Sequence, residues 1–299
     1  MNKNKGLILI LGTAFISGLS VFVNKFGIVL ISPYIFTGLK GIVVALLAIS
    51  WLLMMKDWKT LKKLTKKQWL ILSGIGLIGG SIPFLLFFKG LSLTTGIQAA
   101  FIHKTMFIYI AILAFVFLKE KISKGFLIAG LILFLSNILL LKTFSYSFGW
   151  GDFLILIATL FWAIENVISK HMLKDLPSRI IIFGRMFFGS IFIILFLMVI
   201  GQMNLILILN VQQLGLVMIT SVLLFGYVAT WYTGLRYMKV SEASVILLLA
   251  SPITTLLSWM FLNEVLLTSQ FFSIILLILA VLIIYKNHKH VQDKSINTI

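Results

Sequence analysis

Apolar runs of about twenty residues, separated by short polar breaks, recur along the whole chain. At 1.5 Å rise per residue such a run matches the roughly 30 Å hydrocarbon thickness of a bilayer. The runs predict ten helices, at about 6–31, 34–55, 69–88, 96–118, 124–141, 151–169, 180–200, 214–235, 243–262 and 269–285. Ser32-Pro33 makes a short turn, and Lys56 to Lys67 is the longest early connection. In the third run, Gly76 and Gly80 are spaced for close approach of a neighbouring helix. Pro83 in the same run predicts a kink, because it removes one backbone donor and crowds the preceding turn.

The pattern also repeats. Phe88 to Glu120 returns as Tyr232 to Glu264 at a constant spacing of 144, which places Gly90-Leu91 on Gly234-Leu235, Ala99 on Ala243 and Glu120 on Glu264. Nearer the start of each half, Lys25 falls on Lys170 and Lys40 on Arg185 at a spacing of 145. The chain therefore divides into two five-helix repeats, residues 1–145 and 146–299, joined through Lys142 to Trp150. An odd number of helices per repeat makes the second copy enter the bilayer from the opposite face. The repeats are expected to be inverted.

Composition narrows the class. Hydrophobic residues make up 61% of the chain and charged residues 11%, against about a quarter charged in soluble domains. The fold class is an all-α polytopic membrane protein. A net charge of +17, from 25 Lys plus Arg against 8 Asp plus Glu, would suit a nucleic-acid partner if it formed a patch. Its placement argues otherwise. With ten helices, nineteen basic residues fall on the side of the N-terminus and only Lys89 and Lys142 on the other. That bias predicts a cytoplasmic membrane protein with both termini cytoplasmic. Absence of cysteine removes disulfides, thiolate catalysis and cysteine metal sites. No His-Glu-x-x-His, Gly-x-Ser-x-Gly or phosphate-binding Gly-rich motif occurs, so neither an enzyme nor a cofactor is expected.

The endings Phe117-Leu118-Lys119-Glu120 and Phe261-Leu262-Asn263-Glu264, with Ser251-Pro252 in the ninth helix, resemble drug/metabolite transporters of the EamA type. The resemblance covers nearly the whole chain. Ile108 stands where the family's first-half proline would be, and the small-after-Trp pattern, kept in Trp162-Ala163, reads Ser17-Gly18 in the first half. The resemblance implies a secondary transporter moving a small metabolite, an amino acid or related solute, in many cases outward, by alternating access. Inverted repeats of this kind commonly build a site near the midplane. The rival reading is a structural or sensing membrane protein, in which buried polar groups neutralise one another in one static packing. Expected partners are a small-molecule substrate, the lipid bilayer and a proton or counter-solute, with a homodimer left open.

Polar residues at membrane depth are costly and are therefore the candidates for a site. His103 and Lys104 lie roughly 10–12 Å inside the fourth helix by helical rise. They are expected either to face a cavity or to position helices. Glu165 shares a helix face with Trp162 and Asn166, a cluster able to hold a cation or a proton. Arg185 lies at matching depth, so a Glu165 to Arg185 ion pair is the alternative to a coupling role. Lys25 and Lys40 are expected to snorkel to the headgroups. A vestibule formed with His103 and Lys104 would favour anionic or zwitterionic solutes. Tyr109, Tyr227, Trp231 and Tyr232 are candidates to line a pocket with amphipathic rings. Trp231 and Tyr232 are expected in an interfacial belt or in packing. Glu120 and Glu264 are expected to cap or pair at helix ends beside water.

Overall fold

The computed structural model describes residues 3–94, 96–139, 148–262 and 268–296. Lys142, Glu264 and the linker residues 140–147 lie outside them, as does the side chain of Lys25. Among the described residues the chain is helical throughout, with no strand. In order the helices are α1 (Lys3–Leu30), α2 (Pro33–Met54), α3 (Trp58–Leu61), α4 (Lys66–Ile75), α5 (Ile82–Leu91), α6 (Gly96–Lys104) and α7 (Met106–Leu118). They continue with α8 (Lys124–Leu139), α9 (Trp150–Met172), α10 (Ser178–Val199), α11 (Val211–Leu235), α12 (Val240–Leu247), α13 (Ala250–Leu262) and α14 (Thr268–Ile296). Nine described segments are long and apolar enough to cross a membrane, and Lys124–Leu139 is a shorter apolar helix.

Local chemistry sets the ends of these helices. Thr65 and Asn210 each accept a backbone N–H three residues on, from Gln68 and Gln213, whose side chains return the bond. Pro33 opens α2, where its missing N–H costs nothing. α7 stops at Lys119, which adopts the left-handed conformation with φ 56°. Ile8, Phe15, Leu46, Leu70, Phe115, Leu131, Leu195 and Val222 face outward, an apolar exterior suited to lipid.

One expectation is corrected here and another gains detail. The fourth and ninth runs each predict an unbroken helix, yet both are interrupted, between α6 and α7 at Thr105 and between α12 and α13 at Leu248-Leu249. Met106 and Ala250, the first residues after the breaks, are 144 apart, the spacing of the sequence repeat. Pro83, expected to kink its helix, follows a π-helical turn, Gly76–Ser81, that joins α4 to α5.

Packing follows the repeat. α1 lies on α11, and its counterpart α9 lies on α5. α1 also touches α12 and α13, as α9 touches α6 and α7. α2 packs on α10, and α8 on α14, each being its partner's own equivalent. The close approach expected at Gly80 occurs at α10: a Cβ there would overlap the Arg185 carbonyl oxygen and lie 3.0 Å from the Gly189 Cα.

The symmetry is broken at the ends. We name these by the loops they carry: a lysine-rich end, with 55–65, 119–123, 173–177 and 236–239, and a lysine-poor end opposite. At the lysine-rich end α12 packs against α7, and α9 meets α11 and α12. The equivalent pairs at the lysine-poor end are α6 with α13, and α1 with α5 and α6. Of these, α6 and α13 lack, among the described residues, the packing that joins α7 to α12.

Candidate functional site

The site is built on the π turn. Pro83 has no N–H to give the carbonyl four residues earlier, that of Gly79. That oxygen instead accepts from Trp162 Nε1 at 3.0 Å and from Arg185 Nη2 at 3.1 Å, which ties α9 and α10 to the first half. Gly79 is required here because a Cβ would overlap the Glu165 side chain. A proline and a glycine four residues apart thus create an acceptor in the core and let a carboxylate approach it.

Glu165 is 0% exposed. Its Oε1 accepts from Ser169 Oγ at 2.5 Å and from Tyr232 OH at 2.6 Å. Arg185 Nη1 donates to the same Tyr232 oxygen at 2.7 Å and lies 3.7 Å from Glu165 Oε2. The tyrosine hydroxyl therefore sits between carboxylate and guanidinium, accepting from one and donating to the other. Glu165 Oε2 and Arg185 Nε are buried without a hydrogen-bond partner. Buried polar groups are nearly always satisfied, so these two atoms mark spare capacity in the cluster.

The other candidates divide. Asn166 donates to Trp162 O at 2.8 Å and accepts from Trp231 Nε1 at 2.7 Å, so its amide is turned away from Glu165. Tyr227 stacks on Trp231 with centroids 6.3 Å apart. His103 lies edge-on to Trp162 at 5.0 Å and Phe87 at 5.6 Å, with its Nδ1 buried and unpartnered. Half-buried Lys104 makes no hydrogen bond or ion pair with a described residue. Tyr109 packs against the core from α7 without joining the cluster.

Two placements correct the sequence reading and one narrows it. Lys40 does not snorkel: it is 7% exposed, donates to Asn24 Oδ1 at 2.9 Å and lies 4.8 Å from the centre of the Phe36 ring. Of the two places expected for Trp231 and Tyr232, a belt or packing, the structure takes packing: both are fully buried. Glu120 is not beside water. Its Oε1 accepts from Val240 N–H at 3.1 Å and its Oε2 from Ser241 N–H at 3.1 Å and Ser241 Oγ at 2.6 Å. It caps α12 from the other half, where a carboxylate meets the positive end of the helix dipole.

Sequence reasoning missed Ser169, Gly79 and Asp152, and weighed Tyr232 without linking it to Glu165. Asp152 is buried and accepts from Thr94 Oγ1 at 2.6 Å, Gln98 Nε2 at 2.9 Å and Gly149 N–H at 2.8 Å. Ser169 was detectable, lying one helical turn beyond Glu165 on the same face. Tyr232 approaches only through the packing of α11.

Apolar helices long enough to span a bilayer, enclosing a buried charged cluster, define a multi-pass membrane protein. Comparison with known proteins gives the family: the EamA-like transporter family matches at residues 4–142 and 149–286, and the chain belongs to it. An uncharacterized transporter of Archaeoglobus fulgidus is 26% identical over 271 residues, covering 88% of this chain and 91% of the relative. One from Synechocystis is 24% identical over 254 residues, covering 80% and 72%. A solved crystal structure superposes with a TM-score of 0.76 at 15% identity over 97% of this chain and 99% of that one, a likeness of fold.

Proposed function

We propose that this protein is a secondary active transporter that moves a small metabolite across the cytoplasmic membrane by alternating access. In this reading ten helices, with α8 counted among them, form two inverted repeats, 1–145 and 146–299, with both termini in the cytoplasm. The lysine-rich end is then the cytoplasmic one.

The observation that carries the reading is the broken symmetry of the ends. α7 and α12 are packed together at one end, while α6 and α13 lack that packing at the other among the described residues. Two repeats that are alike can exchange these arrangements, which is what alternating access requires. Further contacts support a closed lysine-rich end: Lys170 Nζ donates to the carbonyls of Leu235 and, at 2.8 Å, Met238, and Glu120 caps α12. Glu165 is the residue we assign to coupling, to a proton or a counter-solute, because its second oxygen is free of donors. His103, whose buried Nδ1 likewise has no hydrogen-bond partner, belongs to the same path.

Because the chain has no cysteine, single cysteines report access to each face without background. Thr105→Cys and Leu249→Cys occupy the two helix breaks. In vesicles, an impermeant thiol reagent should reach the first from the lysine-poor face and the second from the lysine-rich face. A solute that is carried should shift the two rates in opposite directions. Fixed labelling of both positions, with no flux across a panel of amino acids, amines and organic acids, would overturn the proposal.

A further inference from the structure

The repeat supplies a comparison that the chain makes with itself. Lys40 and Arg185 are related by the 145-residue spacing, and each is the eighth residue of its helix, α2 or α10. The same spacing relates Ser20 to Glu165 and Asn24 to Ser169. Both halves use these positions as a chain of side chains. In the second half Arg185 faces Glu165, and Glu165 accepts from Ser169. In the first half Lys40 donates to Asn24, whose Nδ2 lies 3.2 Å from Ser20 Oγ.

The chemistry of the two differs in one respect. Where the second half has a carboxylate, the first has a serine, shorter by the acid-bearing atoms. Lys40 is thus a buried cation with one neutral acceptor and a ring face, and no described carboxylate reaches it. A cation removed from water without an opposite charge is costly, and a cation–π contact offsets only a small part. Exposure differs as well. Glu165 and Ser169 are both 0% exposed, whereas Ser20 and Asn24 are half-buried. The first-half cluster is therefore less enclosed than its counterpart, and it lies toward the lysine-poor end, where α6 and α13 lack the packing of α7 and α12.

We propose that Lys40, Asn24 and Ser20 form an anion site that takes the carboxylate of the transported solute, in the place that Glu165 fills in the other half. Lys40 supplies the charge, Asn24 orients the ammonium, and Ser20 Oγ can donate to the incoming oxygen. This assignment rests on the transporter reading for its role in flux, but binding alone can test it. It also gives the two halves separate tasks: the second carries its own carboxylate and is internally neutral, and the first waits for one.

The test uses the full chain in detergent and reads the unfolding temperature, since a ligand bound only by the folded state raises it. The probes are carboxylates from acetate to benzoate, each beside its neutral amide. Some carboxylate should raise the unfolding temperature with saturation, while its amide does not. The rise should vanish in Lys40→Met. Ser20→Glu, which supplies the missing acid from within, should also abolish it while raising the temperature of the ligand-free protein; Ser20→Gln, of the same size, should not raise it. No response to any carboxylate, equal responses to the amides, or a response that survives both Lys40→Met and Ser20→Glu would overturn the site. Carboxylate binding without flux in vesicles would leave the site standing and remove the transporter reading. Flux that ignores Lys40 and carboxylates would do the reverse.

Discussion

Replacing Tyr232 by Phe deletes one oxygen and leaves the ring, so the change isolates the hydroxyl between Glu165 and Arg185. Two hydrogen bonds are lost, 2.6 Å to Glu165 Oε1 and 2.7 Å from Arg185 Nη1. Bonds to charged groups contribute about 1.5–3 kcal/mol each, so the gross loss is about 3–6 kcal/mol. Part returns, because Arg185 Nη1 is already 3.7 Å from Glu165 Oε2 and can close on it directly. Ser169 and the Gly79 carbonyl also keep their partners. The expected net cost is about 2–4 kcal/mol, read as a lower unfolding temperature of the full chain in detergent. A double-mutant cycle with Glu165→Gln should show coupling above about 1 kcal/mol, since both changes act on one network. An unfolding temperature unchanged in Tyr232→Phe, or strict additivity with Glu165→Gln, would refute the bridging geometry.

Other consequences can be measured in the same way. Pro83→Ala restores an N–H that competes for the Gly79 carbonyl, and should cost about 1–3 kcal/mol through weakened Trp162 and Arg185 bonds; an unchanged unfolding temperature would sink that account. Gly79→Ala forces a Cβ into the Glu165 side chain and should destabilise by about 1–3 kcal/mol, checked by thermal unfolding. His103→Phe removes an unpartnered buried nitrogen among aromatic rings, so the unfolding temperature should hold or rise while flux in vesicles is lost; retained flux would take His103 off the path. Glu120→Gln weakens the cap on α12 and should speed labelling of Leu249→Cys from the lysine-rich face, and an unchanged rate would show that the cap does not close that end.

The helices were legible because lipid imposes a length and a polarity on every spanning segment, and the repeat was legible because the register between Gly90 and Gly234 or Glu120 and Glu264 is constant. The matched depth of Glu165 and Arg185 also follows from counting along two helices. The breaks at Thr105 and Leu248-Leu249 were not legible. The second interrupts a continuous apolar stretch, Val245 to Ala250, with only Pro252 as a hint, and the first follows the polar His103-Lys104, whose residue types mark a costly position but carry no turn signal. Lys40 was misread for a related reason: distance from a helix end suggests snorkelling, but Asn24 on α1 offers an acceptor inward. Tyr232 and Trp231 likewise sit near the end of α11 in sequence, yet neighbouring helices enclose them.

Sequence alone determined the bilayer as solvent, the two-fold repetition and the sidedness of charge, because these depend on composition and period and survive any rearrangement of side chains. Tertiary structure decided which repeated positions became a site. Gly79 acts only where α9 and α10 bring donors to its carbonyl, and Glu165 is enclosed while its repeat equivalent Ser20 is half-buried, a difference that packing adds to the difference in residue type. Period is a property of the chain; the partner that fills a buried lone pair or faces a buried charge is a property of the packing.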